Sequence, residues 1–129
     1  MKLSLSSEYA LLALIHIARK PNSGMTPSEI GGQAQIPAEA LHALATVLLD
    51  AKYLRCANGK LRLAKPADQV SIAEIIRLFD GALAPLEPVS ERGYETAPME
   101  QEPKLTGLFG GLQEHILDKL ERTTLIDLV

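Results

Sequence analysis

The sequence predicts a mainly α-helical fold with one small β-hairpin, and three observations carry that expectation. First, two helix starts lie close together. Thr26-Pro27 with Glu29 opens one, and Pro37 opens the next, with Leu41, Leu44 and Leu48 following at helical spacing. Second, Asn58-Gly59 separates Leu54-Arg55-Cys56-Ala57 from Lys60-Leu61-Arg62-Leu63. Asn-Gly is the strongest short hairpin signal, because both turn residues need positive φ. Third, Leu105, Leu108, Phe109, Leu112, Ile116 and Leu120 form an apolar stripe at helical spacing. Helix, turn, helix and hairpin, followed by a long helix, is a winged helix-turn-helix with a C-terminal extension.

Each element has a local cause. Ser6 or Ser7 caps a first helix that runs to about Arg19, and Leu11, Leu12, Leu14, Ile15 and Ala18 mark its buried face. Pro21-Asn22-Ser23-Gly24 ends it. In the second helix Thr26 and Glu29 form a capping box, Pro27 takes the first helical position, and Gly31, Gly32 and Gln33 bring the end. The third helix runs from Pro37 to about Ala51. A two-residue turn pairs Cys56 with Leu61 and Leu54 with Leu63 on the core side, and leaves Arg55 and Arg62 on the solvent side. Pro66 closes the hairpin.

A second capping box, Ser71 with Glu74, opens a helix carrying Ile72, Ile75, Ile76 and Phe79, and Asp80-Gly81 ends it. Residues 84–104 hold Pro85, Pro88, Pro98 and Pro103 with Glu87, Glu91, Glu95, Glu100 and Glu102, and read as a loop. The last helix spans about Leu105 to Arg122. Gly107, Gly110 and Gly111 either weaken it by about 1 kcal/mol each or permit close helix approach. Thr124 and Asp127 cap a terminal turn. The expected organisation is a winged helix-turn-helix over 1–82, a flexible loop over 83–104, and a helix with a C-terminal turn over 105–129.

Composition narrows the function. The hydrophobic fraction is 47% but aromatics are only 4%, so the core is built of Leu, Ile and Ala. No run approaches about 18 apolar residues, which predicts no membrane span. The N-terminus reads as the start of a folded helix and not as a signal peptide. The single cysteine cannot form an internal disulfide and fits a cytoplasmic location. The net charge of −3 hides an asymmetry: eight basic against four acidic side chains in residues 1–66, five against twelve in 67–129. A basic front half suits a DNA-facing module, and ordinary surface variation is the alternative.

Four segments taken together resemble the BadM/Rrf-type family of bacterial winged-helix regulators, which includes iron–sulfur-cluster and nitric-oxide-sensing repressors. They are Met1-Lys2-Leu3-Ser4 with Tyr9-Ala10-Leu11, Ile36 through Leu54, Val70 to Ile76 with Pro85-Leu86, and Thr124-Leu125-Ile126-Asp127-Leu128-Val129. The resemblance covers nearly the whole chain. It implies a homodimer in which the last long helices cross, binding double-stranded DNA, with any sensor in the loop before those helices. The chain also departs from the family pattern. Ala40 and Ala43 stand where Tyr and Gln are usual for DNA contact, and Val47, Leu49 and Asp50 where Arg or Lys is frequent. The usual glycine-rich wing is reduced to Ala57-Asn58-Gly59-Lys60, the loop has no cysteine, and a family cluster-ligand histidine falls on Thr106. A member without cofactor or cluster is therefore expected.

The candidate DNA contacts follow. Arg55, Lys60 and Arg62 on the hairpin are phosphate contacts or, alternatively, the charged protection of a strand edge. His42, with Glu39 and Thr46 beside it, meets a base edge or is an ordinary surface histidine. Lys2, Ser4 and Ser6 lie near the start of the first helix and add backbone contacts. Leu105, Leu108, Phe109, Leu112, Ile116 and Leu120 form the dimer face. Cys56 reads as a core residue of the hairpin. His16, His42 and His115 are too far apart to predict a metal site. No nucleophile is paired with a base, so no enzyme activity is expected. Two functions are consistent with these residues. One is a dimeric, cluster-free transcriptional regulator, a repressor, answering a small-molecule or protein effector. The other is a relative that has lost specific DNA reading and serves as a protein-interaction module.

Overall fold

A computed structural model describes residues 3–81 and 101–129 of the chain. Lys2 and most of the expected loop therefore lie outside the described residues. Helix α1 (Leu5–Ala18) is the centre, packed by α2 (Pro27–Ala34), α3 (Ala38–Asp50) and α4 (Ile72–Asp80) and by the second strand of a hairpin, β1 (Leu54–Ala57) and β2 (Lys60–Leu63). Its buried side chains are Ser7, Ala10, Ala13, Leu14, Ile17 and Ala18, which corrects the expected face. Leu12 is 42% exposed. The helix is apolar on nearly every side, so apolar periodicity does not select the core side. The small residues Ala10 and Ala13 do, because they let neighbouring backbones approach. The cap is also one turn earlier than expected. Ser4, in extended conformation, accepts a hydrogen bond from the Ser7 N–H at 3.1 Å.

In α2, Thr26 accepts from the Glu29 N–H, as a cap should. The Glu29 carboxylate, however, accepts from the Thr26 hydroxyl at 3.2 Å and not from the Thr26 backbone, so the box is only half formed. The helix runs through Gly31 and Gly32 and ends at Gln35, which takes the left-handed conformation with φ 56°. Gly31 serves packing: a Cβ there would stand 3.3 Å from the Ile36 carbonyl oxygen. Helix α3 buries Leu41, Leu44 and Leu48, the stripe read from the sequence.

The hairpin has the expected register, Leu54 opposite Leu63, Arg55 opposite Arg62, Cys56 opposite Leu61. Asn58 and Gly59 both have positive φ. Met25 adds a one-residue third strand: its N–H donates to the Leu61 carbonyl at 3.0 Å, and its carbonyl accepts from the Leu61 N–H at 2.7 Å. The start of α2 is thereby tied to the wing.

Helix α4 has the complete Ser71–Glu74 capping box and a left-handed Gly81 after its last turn. A long helix, α5 (Pro103–Arg122), begins two residues before the expected start and buries no residue. Leu105, Leu108, Phe109 and Leu112 are exposed, Leu108 by 56%. Ile116 is half-buried, and Leu120 packs on the core. After α5 the chain returns to the centre. Ile72 donates to Thr123, Leu125 donates to Val70, and Leu125 is fully buried in a 3₁₀ turn over Leu125–Leu128. Among the described residues, no helix is long and apolar enough to cross a membrane.

Candidate nucleic-acid interface

The site is built on α3, because it is the second helix of the helix-turn-helix and the wing follows it directly. Burial of Leu41, Leu44 and Leu48 turns the opposite side outward. Ala38, Glu39, His42, Ala43, Thr46, Val47 and Asp50 are its exposed positions. The Thr46 hydroxyl donates to the His42 carbonyl one turn back, at 3.0 Å. Its proton is used within the helix. His42 is exposed, and its ring bonds none of the described residues. The outward face therefore offers two carboxylates, one imidazole and several methyl groups.

The wing supplies the positive charge. Arg55 is exposed on β1, while Lys60 and Arg62 on β2 are half-buried. Arg55 and Arg62 stand directly opposite each other, as the alternation predicts, but Arg62 is partly covered. Arg62 Nε is buried without a hydrogen-bond partner. Its stem lies against Gly24, where an added Cβ would stand 2.7 Å from Arg62 Cγ. Gly24 also has φ +68°, so glycine is required there twice over, by backbone and by space.

Cys56 corrects a further expectation: it is exposed. Its partner Leu61 is covered by Met25, and no strand covers Cys56. It borders a mostly apolar depression of about 710 Å³ between α2, α3 and the hairpin, walled by Gly31, Leu41, Ala45 and Leu49.

The base of the wing is fixed by a cluster that the sequence did not reveal. The Tyr53 hydroxyl donates to Glu74 Oε1 at 3.0 Å, and Glu74 Oε2 accepts from the Ser71 N–H at 2.8 Å. Lys65 Nζ stands 4.4 Å above the centre of the Tyr53 ring. Burial pushes the Tyr53 hydroxyl pKa up, helped by its bond to Glu74 and that carboxylate's charge. Burial also raises the Glu74 carboxyl, but hydrogen bonds from Ser71 and Tyr53 and the Lys65 charge outweigh it and hold Glu74 below its ordinary value. The corner between α3 and β1 is thus locked to α4.

The remaining candidates fall in different places. Ser4 is the cap of α1, with its backbone N–H 3.5 Å from Asp80 Oδ2. Ser6 is exposed and lies beside Ala40, Ala43 and Val47 of α3. His16 is half-buried in α1, and His115 is exposed on α5.

Comparison with known proteins agrees with this architecture. The family described as Rrf2, iron-dependent transcriptional regulator, matches residues 3–129. A putative HTH-type transcriptional regulator of Mycobacterium tuberculosis is 30% identical over 98% of this chain and 80% of its own length. The HTH-type transcriptional regulator CymR of Bacillus subtilis is 27% identical over 99% of this chain and 89% of its own. A solved structure of the B. subtilis CymR superposes with a TM-score of 0.81 at 24% identity, covering 99% of this chain and 95% of that one. IscR from T. potens superposes at 0.74 and 20% identity, covering 99% and 85%. Iron–sulfur clusters are held by thiolates. Here the only cysteine is Cys56, exposed on the wing, and no three His, Cys, Asp or Glu converge among the described residues. The donor set does not fit a cluster. With a winged helix-turn-helix fold and a family match over nearly its full length, the chain belongs to the Rrf2 family of transcriptional regulators.

Proposed function

We propose that this chain is a homodimeric, cluster-free repressor that binds double-stranded DNA chiefly through phosphate contacts and answers a small-molecule or protein effector. The observation that carries the reading is the division of labour between wing and helix. Arg55, Lys60 and Arg62 place three cations on the wing that follows α3 in the chain, while the charged residues on the exposed side of α3 are Glu39 and Asp50. Cations on a wing neutralise phosphates and set register, and carry no sequence information themselves. Ser4, Ser6 and Lys2, near the start of α1, supplement them. His42, Glu39 and Thr46 are the polar groups nearest to bases. The exposed stripe Leu105, Leu108, Phe109 and Leu112 supports dimerisation through α5, since exposed apolar patches of this kind mark interfaces. A dimer would present two copies of the wing and helix to half-sites about one helical turn apart.

The test is a salt titration of duplex binding by fluorescence anisotropy. Lys60→Ala with Arg62→Ala is expected to weaken binding to all sequences alike and to lower the log–log salt slope by about two per protomer. His42→Ala is expected to change affinity little. A His42→Ala protein that loses discrimination between a selected and a random duplex would show that this imidazole reads sequence. A wild-type protein that binds no duplex at low salt would replace the regulator with the protein-interaction module.

A further inference from the structure

The outward side of α3 is short of polar donors but rich in methyl groups, and that shortage has chemical content. Ala43 and Val47 are exposed one helical turn apart, with Val47 37% exposed. Thr46 lies between them, and its hydroxyl is folded back onto the His42 carbonyl. That side chain therefore presents a methyl group and no free donor. The charged neighbours, Glu39 and Asp50, are both acidic and can only accept. In the major groove one base carries an apolar group, the C5-methyl of thymine, and small apolar side chains recognise it by contact. A four-residue step along a helix is about 6 Å, close to two base-pair steps of about 3.4 Å each. The spacing from Ala43 to Val47 therefore matches two thymines in one half-site.

We propose that α3 discriminates DNA by thymine C5-methyl groups, which pack against Ala43, Thr46 and Val47. This rests on the DNA-binding reading above and specifies what that helix reads. A hydroxyl locked on its own backbone and two aliphatic side chains lose no hydrogen bond with water when they meet a methyl group. An arginine or glutamine at these positions would have to find a base partner or be desolvated without one.

The test uses the full chain and one duplex, about 30 base pairs long, enriched by binding from a random pool. The duplex is then made twice, once with thymine and once with deoxyuridine at every thymine, so that pairing is kept and only the methyl groups are removed. Each lost methyl contact is expected to weaken binding about fourfold, so two contacts per protomer give a tenfold or larger preference for the thymine duplex. Thr46→Ser with Val47→Ala should shrink that preference towards one. Both positions are exposed, so the variant should fold. Lys60→Ala with Arg62→Ala should weaken binding to both duplexes and leave their ratio unchanged. Equal affinity of the wild type for the two duplexes overturns this inference and leaves phosphate-dominated DNA binding intact. A preference left undiminished by Thr46→Ser with Val47→Ala overturns the assignment to α3. Failure to bind either duplex at low salt overturns both readings.

Discussion

Helices α4 and α5 pack against each other, joined by an ion pair between Arg77 and Glu121, yet α4 buries four of its nine residues and α5 none of its twenty. Both carry an apolar stripe at helical spacing. In α4 the stripe meets α1, and Ile75 is fully buried. In α5, among the described residues, the member of the stripe that packs against the core is Leu120, near the C-terminal end. Periodicity therefore reports that a helix has an apolar side, and the chain's own topology decides whether that side is covered. An uncovered stripe belongs to an interface or becomes a liability.

The sharpest way to break the comparison is to truncate one residue from each stripe and vary the protein concentration. Ile75→Ala is expected to cost about 3 kcal/mol in urea unfolding at any concentration, as a fully buried aliphatic side chain does. Leu112→Ala should cost little in dilute protein. At concentrations where the chain is dimeric it should cost more, because dimerisation adds to apparent stability by mass action. A concentration-independent loss for Leu112→Ala would show that α5 is covered within one chain.

A smaller effect separates the starts of the two helices. Ser71→Ala should cost about 1 kcal/mol by removing the α4 cap, whereas at the start of α5 the Lys104 N–H donates to the Glu102 carboxylate. Glu74 adds a pH dependence at the α4 end. Its ordinary carboxyl value is 4.5 and its folded value is lower. The carboxylate therefore contributes fully above pH 4.5, and the contribution is lost as pH falls through the lowered folded value. Glu74→Gln should flatten the acid limb of the stability curve. A variant with an unchanged acid limb would remove Glu74 from the account.

The smallest effect concerns the glycines of α5. An added Cβ at Gly107, Gly110 or Gly111 meets nothing within 4 Å among the described residues. By helical periodicity all three lie away from the Leu105–Leu112 stripe. Gly110→Ala should therefore raise thermal stability by up to about 1 kcal/mol and leave the dimer constant unchanged. A weakened dimer would place the glycine side in the interface.

Local chemistry explains what was legible in the sequence. Asn58-Gly59 demanded its turn, Ser71 and Glu74 their box, and Leu41, Leu44 and Leu48 their face, because each signal is complete within a few residues. The misreadings arose where a distant segment decides. Cys56 lies on the core side by strand alternation, but alternation does not say how far along the hairpin the core reaches. Met25 covers Leu61 and nothing comparable covers Cys56. Leu12 was placed inside because α1 is apolar nearly all round, and only packing distinguishes Leu12 from Ala10. The Tyr53–Glu74 bond joins residues 21 apart and leaves no pattern in the sequence. At the interface, the basic wing was legible as charge. The lock on the Thr46 hydroxyl and the burial of Arg62 Nε required coordinates.

The return of Leu125 to the centre has a consequence for biosynthesis. Its backbone bonds to Val70 and its side chain is fully enclosed beside elements that precede it by more than fifty residues. A ribosome that has finished the helix-turn-helix and the wing has not yet delivered the side chain that closes their core. At about 5–20 residues per second, the nascent DNA-binding half waits several seconds for it. During that interval the wing is chemically complete but lacks its final tertiary support, so the chain matures to full rigidity only after α5, the helix proposed to find a second copy, has also been made.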